Sequence, residues 1–147
     1  MRTRTTGLTA LGALAADQAL KAWLKDADQA LLPGAAKLLG IRNPGISFGL
    51  FAGRPEIVSW LTLALILLAG VFLRRRPLGA LGATGAGLLL GGAAGNLLDR
   101  LVYGAVVDYV KLLFIDFPVF NLADLCILLG AGLMVIEALR NPEGKAA

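Results

Sequence analysis

The chain has 147 residues, 57% of them hydrophobic and only 16% charged, with a mean hydropathy of +0.75. A soluble domain carries roughly 45–50% apolar and about 25% charged residues, so the composition excludes an ordinary soluble domain and predicts a single integral membrane domain spanning residues 1–147. The net charge of +4 sits mostly in short clusters beside apolar runs, which favours a membrane over a nucleic acid. The lack of histidine and the lone Cys126 exclude an intrachain disulfide, a cysteine metal cluster and histidine-based catalysis.

The first apolar run, Gly7–Leu24 ("GLTALGALAADQALKAWL"), carries Asp17, Gln18 and Lys21. Arg2, Arg4 and "ALA" at Ala13–Ala15 mimic a cleaved secretory signal. Three further spans and hydrophobicity continuing through Trp23 and Leu24 favour an uncleaved signal-anchor helix instead. Asp17 and Lys21 lie one helical turn apart and are expected to pair on the face turned toward the other helices. A loop of some thirty residues follows, "DADQALLPGAAKLLGIRNPGISFGLFAG", with two Gly/Pro turn signals. Its β-prone, apolar "ISFGLF" is predicted to rest on the bilayer surface.

A spanning helix needs about 20 mostly apolar residues, with about 17 as the lower end. Ile57–Leu73 supplies 17, Leu78–Leu98 supplies 21 and Leu122–Leu139 supplies 18. The predicted fold is therefore all-α and membrane-embedded. It has four transmembrane helices, at about 7–24, 57–73, 78–98 and 122–139, and a small, partly β outer loop domain lying on the membrane between the first two. With both termini cytoplasmic, the inner segments hold Arg2, Arg4, Arg74, Arg75, Arg76, Arg140 and Lys145, seven basic residues in roughly twenty. The outer loops, about 25–56 and 99–118, hold six in about fifty. That threefold difference sets the predicted orientation, and it places the acidic residues, other than Glu137 and Glu143, on or near the outer side.

Asp124 stands just inside the last apolar run. Asn121 can cap that helix with Asp124 at its N3 position, a capping box favoured by the helix dipole. The cap accounts for one carboxylate in apolar surroundings but not for Asp108, in "GAVVDYVKLLF", sixteen residues earlier. That spacing allows an excursion at the outer surface and a return, so the two carboxylates can face each other. When like charges share a small site, one holds a proton at working pH. The ionised member can then activate water while the protonated one polarises a carbonyl, which is peptide hydrolysis without a metal, cofactor or histidine. Near the end of the third span, Gly91 and Gly95 form a small-xxx-small pair, and Gly85, Gly87 and Gly92 also permit close helix approach. Asn96, Asp99 and Arg100 there read either as interface anchors or as supports of a site, Asn96 and Arg100 sharing a face. Asn43, beside Pro44–Gly45, reads first as a turn residue. Ser47 and Ser59 are the only serines, and nothing in their spacing favours a Ser–Lys protease.

Taken in order, "DQALK" (Asp17–Lys21), "RNPGISF" (Arg42–Phe48), "GGAAGNLLDR" (Gly91–Arg100), "GAVVDY" (Gly104–Tyr109) and "FNLAD" (Phe120–Asp124) resemble the motifs of the lipoprotein signal peptidase family, also called signal peptidase II. Each stretch is weak alone; five in order on a four-span chain are specific. The resemblance implies an aspartyl endopeptidase of the bacterial inner membrane, active near the outer face. It would cut a diacylglyceryl-modified prolipoprotein just before the lipidated cysteine, with Asp108 and Asp124 as the catalytic pair. Asn96, Arg100 and Asn121 would position the pair or the substrate backbone, with Asp99 a further support. Asn43 and Gly45 would contact substrate, and Asp17 and Lys21 would support the fold. Neither a metal nor a cofactor is implied; the partners are the prolipoprotein and membrane lipid, not nucleic acid, and the chain is read as a monomer. Pro44, Ile46 and Ser47 depart from the family pattern, and Tyr109 replaces its commoner phenylalanine. A small transporter would hold its essential acid deeper in a span, and a membrane assembly subunit would need no second near-surface aspartate.

Overall fold

The computed structural model describes residues 2–45, 54–74 and 78–141. The predicted "ISFGLF" stretch, Arg75, Arg76, Glu143 and Lys145 lie outside the described residues. In chain order the elements are α1 (Arg2–Leu24), β1 (Asp28–Leu32), β2 (Ala36–Asn43), α2 (Pro55–Arg74), α3 (Ala80–Tyr103), β3 (Val106–Leu112) and α4 (Leu122–Arg140). Among the described residues, α2, α3 and α4 are long and apolar enough to cross a membrane. α1 is as long, at 23 residues, but spends part of its inward face on Asp17 and Lys21, both buried.

α3 is the central helix: 56% of its apolar window is buried, against 11% for α2 and 17% for α4. Glycine makes this possible. Along one face, Gly87, Gly91 and Gly95 receive α1, whose Thr9, Ala13 and Asp17 fill the space that a Cβ would need. Along another face, Gly85 and Gly92 receive the α4 backbone at Gly130 and Ala123. Contacts that rise together in number, from Thr6–Ala83 to Asp17–Gly95, show that α1 runs parallel to α3. The α4 contacts run the other way, with Gly82 beside Glu137 and Gly92 beside Ala123. Away from these seams the helices present large apolar side chains outward, among them Leu65, Leu68 and Phe72 of α2 and Leu128, Leu129 and Leu139 of α4. Such a belt suits lipid, where helix association depends on close packing rather than on burial from water.

The sheet includes the predicted, partly β loop between the first two helices, which supplies β1 and β2, and extends beyond it. It is a three-stranded antiparallel sheet in the order β1-β2-β3, and β3 comes from the segment between α3 and α4, not from the loop between the first two helices. β1 and β2 form a hairpin over Pro33–Gly34, with Gly34 at φ 74°. The outer segment predicted to begin at 99 is still helical through Tyr103, so Asp99 and Arg100 lie on α3. Gly104, at φ 69°, stops that helix, its N–H donating to the Arg100 carbonyl. This left-handed position suits glycine. The chain then reverses into β3, whose first four residues are buried. Pairing of Ile41 with Asp108 and of Asn43 with Val106 makes Asn43 and Asp108 diagonal neighbours on one face of the sheet.

A Cβ at Gly95 would lie 2.5 Å from Asp17 Oδ2. Gly95→Val is expected to push α1 off α3 and to lower stability by about 1–3 kcal/mol, read as a fall in Tm in detergent. Gly132→Ala, where a Cβ meets open space, is expected to leave Tm unchanged.

Candidate active site

The site gathers where the C-terminal end of α3, the N-terminal end of α4 and the sheet meet. Its anchor is the buried ammonium of Lys21, which lies 2.8 Å from Asp17 Oδ2 and 3.0 Å from Asp99 Oδ2 and donates to Asn96 Oδ1 at 2.8 Å. Gln18, to which the sequence assigns no role, completes the cluster. Its Nε2 donates to Asp99 Oδ1 at 2.9 Å and to Gly95 O at 3.3 Å. Asp99 Oδ2 also accepts from the Val107 N–H at 3.1 Å, tying α3 to the start of β3.

The first N–H groups of a helix have no partner within it. In α4 they are met by side chains of three segments. The Leu122 N–H donates to Tyr109 Oη, the Ala123 N–H to Asp17 Oδ1 and the Asp124 N–H to Asn121 Oδ1, each at 3.0 Å. The reciprocal half of the predicted capping box is present too: the Asn121 N–H donates to Asp124 Oδ2 at 3.1 Å. Tyr109 is the second contributor the sequence left unassigned; its only signal was a hydroxyl where the family more often has phenylalanine. Burial holds that phenol protonated, pushing its pKa up to about 12.

Asp108 and Asp124 line one cleft of ≈ 310 Å³ between α2, α3 and α4. Asn121 joins them, its Nδ2 donating to Asp108 Oδ1 at 2.6 Å while its backbone N–H holds Asp124. Asn43 Nδ2 donates to Asp108 Oδ2 at 2.9 Å, and Asn96 Nδ2 donates to Asp124 Oδ1 at 2.8 Å. Asn96 can point its amide only one way, because its oxygen already accepts from Lys21 and, at 3.2 Å, from Asn121 Nδ2. Burial, reinforced by the charge of Asp124, raises Asp108 to about 6 against the opposing donors Asn43 and Asn121. Arg100 donates from Nη1 to Asn96 O and from Nη2 to Gly45 O, at 3.2 and 3.1 Å. The structure thus brings together the candidate site residues: Asn43, Gly45, Asn96, Arg100, Asp108, Asn121 and Asp124 around the cleft, with Asp17, Lys21 and Asp99 behind it. Among the described residues no group of three acidic or cysteine side chains is placed to hold a metal ion.

An apolar helical body carrying a carboxylate cleft at one end, roofed by a small sheet, defines a membrane enzyme. Two solved bacterial membrane enzymes determined by the in meso method share the fold. One, at 2.3 Å resolution, has a TM-score of 0.84 and 26% identity, covering 96% of this chain and 91% of its own. The other, at 1.9 Å, has a TM-score of 0.81 and 26% identity, covering 93% and 94%. The particular family follows from sequence. Residues 9–140 match the signal peptidase (SPase) II family. The lipoprotein signal peptidase of Gloeobacter violaceus is 39% identical over 146 residues, 95% of this chain and 84% of that protein. That of Pelotomaculum thermopropionicum is 42% identical over 120 residues, 80% and 76% of the two chains. The chain belongs to the signal peptidase II family and is a membrane protease.

Lys21→Met is expected to leave Asp17 and Asp99 buried against each other, and breaking such a pair costs about 3–5 kcal/mol. Thermal unfolding in detergent checks this; a Tm equal to that of wild type would show that the cluster does not hold the helices together.

Proposed function

We propose that the protein is an aspartyl endopeptidase of the bacterial inner membrane that cuts diacylglyceryl-modified prolipoproteins immediately before the lipidated cysteine. The observation that carries this reading is the convergence of Asp108 and Asp124 on one cleft, cross-braced by Asn121. Below the carboxylates the cleft is lined by Leu65, Ile66, Leu89 and Ile127, an apolar trench suited to a signal segment that arrives through the bilayer.

In the proposed reaction the dyad holds one proton. The ionised carboxylate takes a proton from water as the water oxygen attacks the scissile carbonyl carbon, and the protonated one donates to the carbonyl oxygen. The tetrahedral intermediate then collapses as a proton passes to the leaving amine, releasing the carboxylate of the signal peptide and the free amino group of the lipidated cysteine. Asn43, Asn96 and Asn121 hold the two carboxylates throughout, and Arg100 holds the Gly45 carbonyl at the cleft edge. In this reading the chain makes four membrane crossings. α1 lies beside α3 from Thr6 to Asp17 and so shares its layer, its outward Leu8, Leu11 and Trp23 meeting lipid. Both termini are cytoplasmic, the dyad lies near the outer face, and the chain works as a monomer.

Cleavage of a diacylglyceryl-modified prolipoprotein by purified protein tests the reading. Asp108→Asn and Asp124→Asn are each expected to lower kcat by roughly 10²–10⁴-fold or more with Tm retained. Asp116→Asn, at a fully exposed position, is expected to cut normally. Near wild-type cleavage by either of the first two would remove that aspartate from the reaction.

The pH profile supplies a second test. Because the active dyad keeps one proton and Asp108 is raised to about 6, kcat/KM is expected to fall as pH rises past about 6, with apparent pKa values that belong to the pair. Asn43 donates to Asp108 and favours its ionised form, so Asn43→Ala is expected to move this basic limb to higher pH. A shift to lower pH would contradict the assignment.

A further inference from the structure

A second concavity reaches the site from the opposite side of α2. Glu56, Ser59, Trp60 and Leu63 of α2 face Leu97, Arg100 and Leu101 of α3 across a groove of ≈ 470 Å³, within the roughly 300–1,000 Å³ of small-ligand sites. Its chemistry is graded. Glu56 in the first turn of α2 and Arg100 in the last turn of α3 make a polar end. Leu63, seven residues below Glu56 and so about 10 Å further along the helix, and the buried Leu97 make an apolar floor. Trp60 and Leu101 form the rim, 71% and 68% exposed on the face that meets lipid.

Arg100 lines this groove and the catalytic cleft alike. Its two terminal nitrogens are engaged, but its Nε is buried with no acceptor among the described residues. A buried donor left unpaired is unfavourable, so an occupant supplying an oxygen acceptor is favoured. That acceptor need not be charged: the guanidinium already faces Asp108, Asp124 and Asp99. Glu56 at the mouth adds further negative charge, which disfavours the phosphate of a bulk phospholipid. A neutral ester carbonyl on an acyl chain fits; an anionic headgroup does not.

We propose that the α2–α3 groove is the subsite for the diacylglyceryl group of the substrate, with one acyl chain between Leu63 and Leu97 and a glyceryl ester carbonyl accepting from Arg100 Nε. This rests on the peptidase reading above. It gives the enzyme a physical means of preferring the modified precursor. The lipid satisfies a donor whose other nitrogens brace Asn96 and Gly45 beside the dyad, and a site built to hydrogen-bond a ligand rejects the analogue that lacks the partner.

The test uses the full chain in detergent and one prolipoprotein peptide carrying three groups: dipalmitoylglyceryl, dibutyrylglyceryl and the diether dihexadecylglyceryl. Leu63→Trp, which fills the groove, is expected to lower the ratio of kcat/KM for the dipalmitoyl over the dibutyryl substrate by roughly tenfold. Leu128→Trp, on the lipid-facing side of α4 and outside the groove, is expected to leave that ratio at the wild-type value. Partial misfolding would lower both rates and preserve the ratio, so it cannot imitate the result. Wild type is expected to cut the diether roughly tenfold less efficiently than the dipalmitoyl diester. An unchanged ratio in Leu63→Trp would overturn the groove assignment, and a diether cut as well as the diester would overturn the Arg100 contact. If wild type cuts none of the three, the peptidase reading itself falls.

Discussion

The ammonium of Lys21 is the group around which the rest of the molecule is arranged. Its side chain is 4% exposed, and each of its three protons has an acceptor, on Asp17, Asp99 or Asn96. Two of those acceptors are themselves functional connectors. Asp17 uses its other oxygen to hold the first turn of α4, and Asn96 uses its nitrogen to hold Asp124. A buried ion pair rarely adds net stability over a well-packed apolar substitute. Here its consequence is geometric: the cation ties α1 to α3, and its acceptors Asp17 and Asn96 reach on to α4, which sets the register of all three helices.

That convergence depends on how closely the helices approach. In lipid, apolar surface alone gives helices little reason to associate, and polar side chains must reach one another across the seam. The α3 glycines bring the α1 and α4 backbones near enough for short side chains such as Asp17 and Asn96 to span the gap. The end of the bundle away from the sheet is closed differently. The Glu137 carboxylate accepts from the N–H groups of Gly79 and Gly82 at the start of α3, where the positive end of the helix dipole favours a negative charge. α3 and α4 are therefore pinned at both ends, and the open side of the bundle is the one formed by α2. Both concavities lie along α2, so the helix least buried in protein separates the carboxylate cleft from the α2–α3 groove.

Much of the candidate site was legible because its key pairs are local. Asn121 and Asp124 are three apart and Asp17 and Lys21 four apart, spacings at which helix geometry alone brings side chains together. The sheet was not legible in this way. The sequence predicts a partly β loop between the first two helices, but its β1–β2 hairpin forms around the Pro33–Gly34 turn, and the stretch that looked most β-prone lies outside the described residues. The third strand, around Asp108, stands in a segment that reads as loop. Strand β3 is a product of pairing: Val106–Leu112 is held extended by β2, which is more than sixty residues away in sequence, and strand preference depends on such neighbours. Gln18 and Tyr109 were left without a role for a related reason. An amide beside a charged pair and a hydroxyl on a core aromatic acquire roles only from partners such as Asp99 and the Leu122 N–H.

By itself the sequence determined the membrane character, the positions of the apolar helices, the glycine seams of α3, the cap of α4 and the identity of the two aspartates that stand in apolar surroundings. These follow from hydropathy and from interactions within a single helical turn, which depend on neighbours along the chain. Only the tertiary structure decided that Asp108 lies on a strand, that Asn43 reaches it across the sheet, that Lys21 orients the Asn96 amide toward Asp124, and that Arg100 borders two cavities with one nitrogen that has no acceptor among the described residues. Each of these joins residues distant in sequence, and the packing of α1, α3, α4 and the sheet against one another is what brings them within hydrogen-bonding distance.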